Sequence, residues 1–355
     1  MAKYKVLIVD DSAVVRRMIR TALASEHDIE VVGAAGDPYQ ARDLIQKFKP
    51  DILTLDIEMP RMDGLTFLKI LMDKHPMPVI ILSSLSQANS KEALTALEEG
   101  AADVLSKPDG PHSLGETGAL LGNRIRTILG NSKVAGKRSL FGAKRSTTPP
   151  VERGRSNPVP WNSSQIILIG ASTGGPPALK TVLTALPADM PGICVVQHMP
   201  AFITQAFAER LDADCALSVK EAADGDYLER GQVLIAPGDY HMTLRRQQER
   251  YQVHLNRNPK VCYQRPAVDV LFQSALPYAG KNMVAALLTG MGRDGADGLL
   301  ELKNKGAHTI GQDEATSVVY GMPRAAAECG AVRETAAIGH IAECIIKGLH
   351  TRVGH

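Results

Sequence analysis

Two sets of residues in this chain combine types and positions suited to chemistry. From the middle of the chain onward, Ser172 lies among small residues in IILIGASTGG, His198 follows the apolar run Ile193 to Gln197, and Asp294 sits in LLTGMGRDGADG. A serine hydroxyl becomes a nucleophile when an imidazole takes its proton and a carboxylate holds that imidazole in place. The G-x-S-x-G spacing around Ser172 suits a tight strand-to-helix turn that presents the hydroxyl. Asp297 competes with Asp294 for the carboxylate role. Each residue also has a purely structural reading: Ser172 or Asp294 as a helix cap, His198 as a loop histidine, Asp297 as an acid in a helix's first turn. A rival use of ASTGG is a phosphate cradle at a helix N-terminus. The chain has no G-x-x-x-x-G-K-[ST] run, and the second strand ends in His198 where a dinucleotide site would want an acid.

In the first third, Asp10, Asp11 and Asp56 follow apolar strand-like runs, Ser83 ends another, and Lys107 precedes Pro108 at the end of a fifth. Carboxylates brought together at strand ends repel one another unless a hard cation sits among them, and Mg²⁺ takes a few carboxylates plus water and phosphate oxygens. Lys107 adds a positive charge and Ser83 a hydroxyl. Singly, each has a structural explanation, Asp11 or Ser12 as a cap for instance, but five such residues at strand carboxyl ends of one domain point to a site.

The elements that must hold these groups alternate. Strand-like runs KVLIVD, IEVVGAA, DILTLD, PVIILSS and ADVLSKP are separated by helical periodicity over Ser12 to Ala24, Pro38 to Phe48, Leu65 to Met72 and Lys91 to Glu98, a five-stranded doubly wound pattern for residues 1–123. Residues 124–160 carry nine Lys or Arg against the single acid Glu152, with Pro149 and Pro150 together, and read as a basic flexible linker. The stretch has neither aromatic interleaving nor a helix-turn-helix pattern, so a solvated tether is expected rather than a nucleic-acid contact. Residues 161–355 form a second α/β pattern. Its strands are expected at Ile166 to Gly170, Ile193 to Gln197, Val233 to Ala236 and Met283 to Leu288, its later helices near Val268 to Leu276, Gly298 to Asn304 and Ile338 to Leu349. GDYHMTLRRQQERYQVHL alternates like an antiparallel hairpin inserted in the sheet or at its edge.

Composition narrows the class. A chain of 355 residues suggests two domains, and 44% apolar with 22% charged residues and a net charge of +2 gives no global reason to expect nucleic acid or an anionic membrane. Five scattered cysteines without a C-x-x-C pair favour neither a disulfide framework nor a zinc site and fit a reducing cytoplasm. The start, MAKYKVLIVDDS, lacks the pattern of a signal peptide, and no apolar run reaches membrane-spanning length.

The first third, with VDDS, LDIEMPRMDG and SKP, resembles the receiver domain of two-component response regulators. The resemblance implies a flavodoxin-like parallel domain in which Asp56 accepts a phosphoryl group from a histidine kinase, Asp10, Asp11 and Asp56 hold Mg²⁺, and Ser83 and Lys107 contact the phosphoryl group. Many receivers carry Tyr or Phe two residues before the serine that precedes the lysine. Here that residue is Val104, which sets this chain apart from an aromatic-rotamer version of the switch. IGASTGGP, VVQHMP, IAPGDYHM and LLTGMGRDGADG resemble the catalytic domain of the bacterial chemotaxis protein-glutamate methylesterases, and the two resemblances together span nearly the whole chain. They imply hydrolysis of glutamyl methyl esters on methyl-accepting chemotaxis receptors with release of methanol, and deamidation of selected receptor glutamines. Ser172 is then the nucleophile, His198 the base, Asp294 its orienting acid, and the backbone amides of Met291 and Thr173 the oxyanion donors, with no cofactor in this domain. The order Ser, His, Asp differs from that of α/β-hydrolases, so the elbow motif does not carry that fold with it.

Overall fold

The computed structural model describes residues 3–84, 88–108, 114–134, 164–248, 250–278, 280 and 282–350. The chain divides into two compact units, Met1–Arg145 and Ser146–His355.

In the first unit β1 (Tyr4–Val9), α1 (Ala13–Leu23), β2 (Ile29–Ala35), α2 (Pro38–Phe48), β3 (Ile52–Asp56), α3 (Gly64–Lys74), β4 (Val79–Ser83), α4 (Ala88–Glu98), β5 (Asp103–Ser106) and α5 (Leu114–Val134) follow in order. The five strands form one parallel sheet in the order β2-β1-β3-β4-β5. Its central strands are buried along their whole length, as unbroken apolar runs covered on both faces must be. Helix starts are set locally: Ser12 accepts from the Val15 amide ahead of α1, and Asp37 accepts from the Gln40 amide with Pro38 opening α2.

One boundary differs from the sequence reading. The sequence reading starts the linker at residue 124, but α5 continues to Val134. Leu121, Ile125, Ile128 and Leu129 recur at helical spacing and are buried in the core of the first unit. Two cations assigned to the tether belong to the fold. Arg124 is buried 3.3 Å from Asp103, and Arg126 forks onto Asp28 and also binds Glu26. The basic composition masked the apolar stripe beneath it. Residues 135–160 of the proposed linker lie outside the described residues.

The second unit runs β6 (Ile166–Ala171), α6 (Gly175–Thr184), β7 (Gly192–Gln197), α7 (Ala201–Asp214), β8 (Ser218–Glu221), β9 (Gln232–Ile235), β10 (His241–Gln247), β11 (Arg250–Asn256), α8 (Val268–Ala275), β12 (Met283–Leu287), α9 (Ala296–Asn304), β13 (His308–Gln312), α10 (Met322–Glu328), β14 (Glu334–Ala336) and α11 (Ile341–His350). Seven strands form a parallel sheet ordered β14-β13-β12-β6-β7-β9-β8. The chain leaves β6 for β7 on one side and returns to β12 on the other, so the carboxyl ends of these strands frame a topological switch point.

The expected antiparallel hairpin is present, and its place is the correction. β10 and β11 pair antiparallel as a separate two-stranded sheet rather than joining the large one, whose edges are held by β8 and β14. The alternation seen in sequence buries Met242, Leu244, Tyr251 and Val253 in the same core as α8, and Ser274 Oγ of α8 accepts the Leu244 N–H at 2.9 Å. β13 and β14, which extend the sheet, were not foreseen: HTIGQ and ETA are short and mix polar with small residues.

Candidate functional site

Ser172 is the first residue beyond β6, and its backbone is tied to both neighbouring strands. Its N–H donates to the Thr289 carbonyl just past β12 (3.0 Å), and its carbonyl accepts from the Gly175 N–H (2.7 Å) and from Gln197 Nε2 at the end of β7 (2.9 Å). The N-cap of α6 is Gly174, so capping is not the role of the Ser172 hydroxyl. The loop after β12 passes so near that a Cβ on Gly290 would fall 2.7 Å from Ser172 Cβ and 2.3 Å from Met322 Sδ. Only a glycine permits that approach.

His198 follows β7, the strand paired directly with β6, and its N–H donates to the Ala171 carbonyl at 3.1 Å. Its ring meets the acid from the other side of the switch point: His198 Nε2 lies 2.8 Å from Asp294 Oδ2. Asp294 also accepts the Val268 N–H on Oδ2 (2.7 Å) and the Asp269 N–H on Oδ1 (3.0 Å) at the start of α8. Burial pushes the Asp294 carboxyl up, but the His198 hydrogen bond and charge with the two backbone donors outweigh it, leaving the group below its ordinary value. It is an ionised acceptor whose partners are already in place. Asp297, the competitor, is exposed and pairs with Arg293 at 2.6 Å.

Thr173 is buried, and its carbonyl accepts the Thr289 hydroxyl at 2.9 Å. The Met291 N–H donates to no group among the described residues. Met291 is held there because Gly290 exchanges backbone bonds with Val319, Gly321 and Met322. Sequence reasoning missed three supports: the Gln197 amide, the Thr289 hydroxyl and the α8 amides that receive Asp294. Gln197 was findable as a polar end to a buried strand. Asp269, buried beside Asp294, was also missed. Its carboxyl accepts the Gly298 N–H at 2.7 Å and is pushed up to about 6, chiefly by burial, with the Asp294 charge adding to the effect.

In the first unit, Asp10, Asp11 and Asp56 offer carboxylate oxygens within 4.8 Å of one another. Asp10 and Asp56 are buried and Asp11 exposed. Lys107 Nζ lies 2.7 Å from Asp56 and 2.9 Å from Asp10. Ser12 is the cap of α1 and takes Asp10 Oδ1 on its N–H, so Asp11 is left at the surface as a possible ligand. Burial pushes Asp56 up to about 6, and the Asp10 charge adds to that while Lys107 opposes it. The Asp10 oxygen that faces Lys107 is the buried Oδ2. Three carboxylates crowded within 4.8 Å, with the Lys107 ammonium beside two of them, fit a small hard cation. Ser83 is buried one residue past Leu82, the register partner of Asp56, and the Lys107 N–H donates to the Ser83 carbonyl. A cavity of about 490 Å³ adjoins Asp11, between Glu58, Met59, Asp63 and Glu92.

The family of a CheB methylesterase matches residues 167–345, and that of a response regulator receiver domain matches residues 6–117. The chain is 50% identical to a protein-glutamate methylesterase/protein-glutamine glutaminase of Syntrophus aciditrophicus, over 98% of this chain and 99% of that protein. The chain belongs to the CheB methylesterase family. A second relative in that family, from Anaeromyxobacter dehalogenans, is 52% identical over 92% of this chain and 91% of its own. The solved catalytic domain of Thermotoga maritima CheB methylesterase is 39% identical, with a TM-score of 0.50, across 53% of this chain and 98% of that one. Among the described residues no helix is long and apolar enough to cross a membrane.

Proposed function

We propose that this protein hydrolyses glutamyl methyl esters, and deamidates glutamines, on chemoreceptors, with Ser172 as nucleophile, His198 as base and Asp294 as its orienting acid. The observation that carries this is the 2.8 Å contact between His198 Nε2 and Asp294, one backbone hydrogen bond away from the turn that presents Ser172. With Nε2–H directed to the carboxylate, Nδ1 holds the free electron pair and takes the Ser172 proton as Oγ attacks the ester carbonyl. The protonated ring is stabilised by Asp294 and returns the proton to the departing oxygen, so methanol leaves and an acyl-serine remains. Water, deprotonated by the same nitrogen, then releases the glutamate. A glutamine enters the same cycle with ammonia as the leaving group. Negative charge on the carbonyl oxygen is met by the Met291 N–H and that of Thr173.

The receiver supplies control. Asp56 accepts a phosphoryl group from a histidine kinase. Mg²⁺ held by Asp10, Asp11 and Asp56 would supply charge neutralisation during the transfer, and Lys107 and Ser83 bind the phosphoryl oxygens. The new dianion draws Lys107 from its present partners, and the resulting shift in population opens the esterase unit to substrate. The test is methanol release from methylated receptor membranes. The full chain is expected to respond to a small phosphodonor with Mg²⁺, and a truncated chain beginning at Trp161 to be active without one. Equal or lower activity of that truncated chain relative to the unphosphorylated full chain would count against occlusion by the receiver.

A further inference from the structure

Gln197, the last residue of β7, places one amide between the two groups assigned to the reaction. It is 2% exposed, and its Nε2 donates to the carbonyl of Ser172 at 2.9 Å and to the carbonyl of His198 at 3.1 Å. Its Oε1 is buried without a hydrogen-bond partner and faces Gly175, where a Cβ would stand 1.9 Å away. A buried amide oxygen left unpaired is destabilising, and an apolar side chain of the same length would avoid the penalty. What the amide provides instead is two N–H donors on a single nitrogen, and both go to residues that carry the chemistry.

We infer that Gln197 is a positioning residue that locks the nucleophile turn to the base, an inference that rests on the reading of Ser172 and His198 given above. Fixing a carbonyl fixes the ψ of its residue and limits how the peptide that follows can turn. The Ser172 carbonyl is held by Gln197 together with Gly175, and the His198 backbone by Gln197 together with Ala171. Asp294 grips the His198 ring at its far end. The imidazole is therefore held at both backbone and ring, and the hydroxyl is referred to the same amide. Gly175 belongs to the device, because a methyl there would displace the amide oxygen.

The test uses the full chain, activated by a phosphodonor and Mg²⁺, in wild type and in Gln197→Met, Gly175→Ala and Ser172→Ala. Methanol release is measured across receptor concentration, with the rate of Ser172 modification by a small fluorophosphonate and the thermal midpoint alongside. Gln197→Met is expected to lower kcat by about 10- to 100-fold, the scale of a sub-ångström to 1 Å misplacement, with KM within about twofold. Fluorophosphonate labelling should slow in the same proportion while the midpoint shifts by no more than about 4 °C. Gly175→Ala should reproduce that pattern. If wild type is active and Gln197→Met keeps kcat and labelling within about threefold, or loses them only in step with folded protein, the positioning role is wrong. An inactive wild type, or an active Ser172→Ala, would instead remove the assignment on which the inference rests.

Discussion

The two units place their candidate residues alike, at the carboxyl ends of central parallel strands, yet the acids Asp56 and Asp294 are shifted in opposite directions. In the second unit the buried acid Asp294 has three hydrogen-bond donors and sits below its ordinary pKa. In the first, Asp56 is pushed up to about 6 by burial, and Asp10 and Asp56 both lean on the ammonium of Lys107. The first site sets three carboxylates against the Lys107 ammonium, the balance expected of the proposed site for a cation and a phosphoryl group. The second has its groups oriented before substrate arrives, as catalysis by preorganised charge requires. A regulator should be unsettled by what binds it, and a catalyst should not.

That contrast can be broken or sharpened by substitution. Ser172→Ala should lower turnover by about 10⁵-fold or more while leaving phosphorylation of Asp56 intact. Full hydrolysis by that variant would undo the assignment. Asp294→Asn should cost about 10⁴-fold, because the amide no longer holds the His198 tautomer, while Asp297→Asn stays within about twofold. The opposite ranking would exchange the two acids. Gly290→Ala, which drives a methyl against Ser172 Cβ, is expected to reduce kcat by about 100-fold through misplacement of the turn.

The smallest effects belong to the first site and are read as stability. Because the folded pKa of Asp56 is raised, its favourable contribution is complete below about pH 4 and disappears as pH rises through about 6. Asp56→Asn cannot ionise, so in a chelator at pH 7 it should stabilise the first unit by roughly 1 to 3 kcal/mol, with the gain vanishing near pH 4. Adding Mg²⁺ should raise the thermal midpoint of the wild type more than that of Asp56→Asn. Equal shifts would place the cation away from these carboxylates.

Both sheets were legible because parallel strands buried on two faces read as unbroken apolar runs, and site residues stand where those runs stop. Ser172, His198 and Asp294 were visible as polar residues at such ends. The choice between Asp294 and Asp297 was not, because it depends on how α8 approaches from elsewhere in the chain to offer the Val268 and Asp269 amides. Nor could sequence show that Gln197 turns inward to two carbonyls rather than outward to solvent. The end of α5 was obscured for another reason: Arg124 and Arg126 look like tether cations until Asp103, Glu26 and Asp28 are brought beside them.

The most direct measurement is methanol release from methylated receptor membranes by the full chain, with and without a small phosphodonor and Mg²⁺, in parallel with Ser172→Ala and Asp56→Asn. The expected result is a release that rises with the phosphodonor in wild type, stays at the basal rate in Asp56→Asn and is absent in Ser172→Ala. Release that persists in Ser172→Ala, or that rises with the phosphodonor in Asp56→Asn, would contradict the pairing of a phosphoryl-accepting switch with a preorganised serine site.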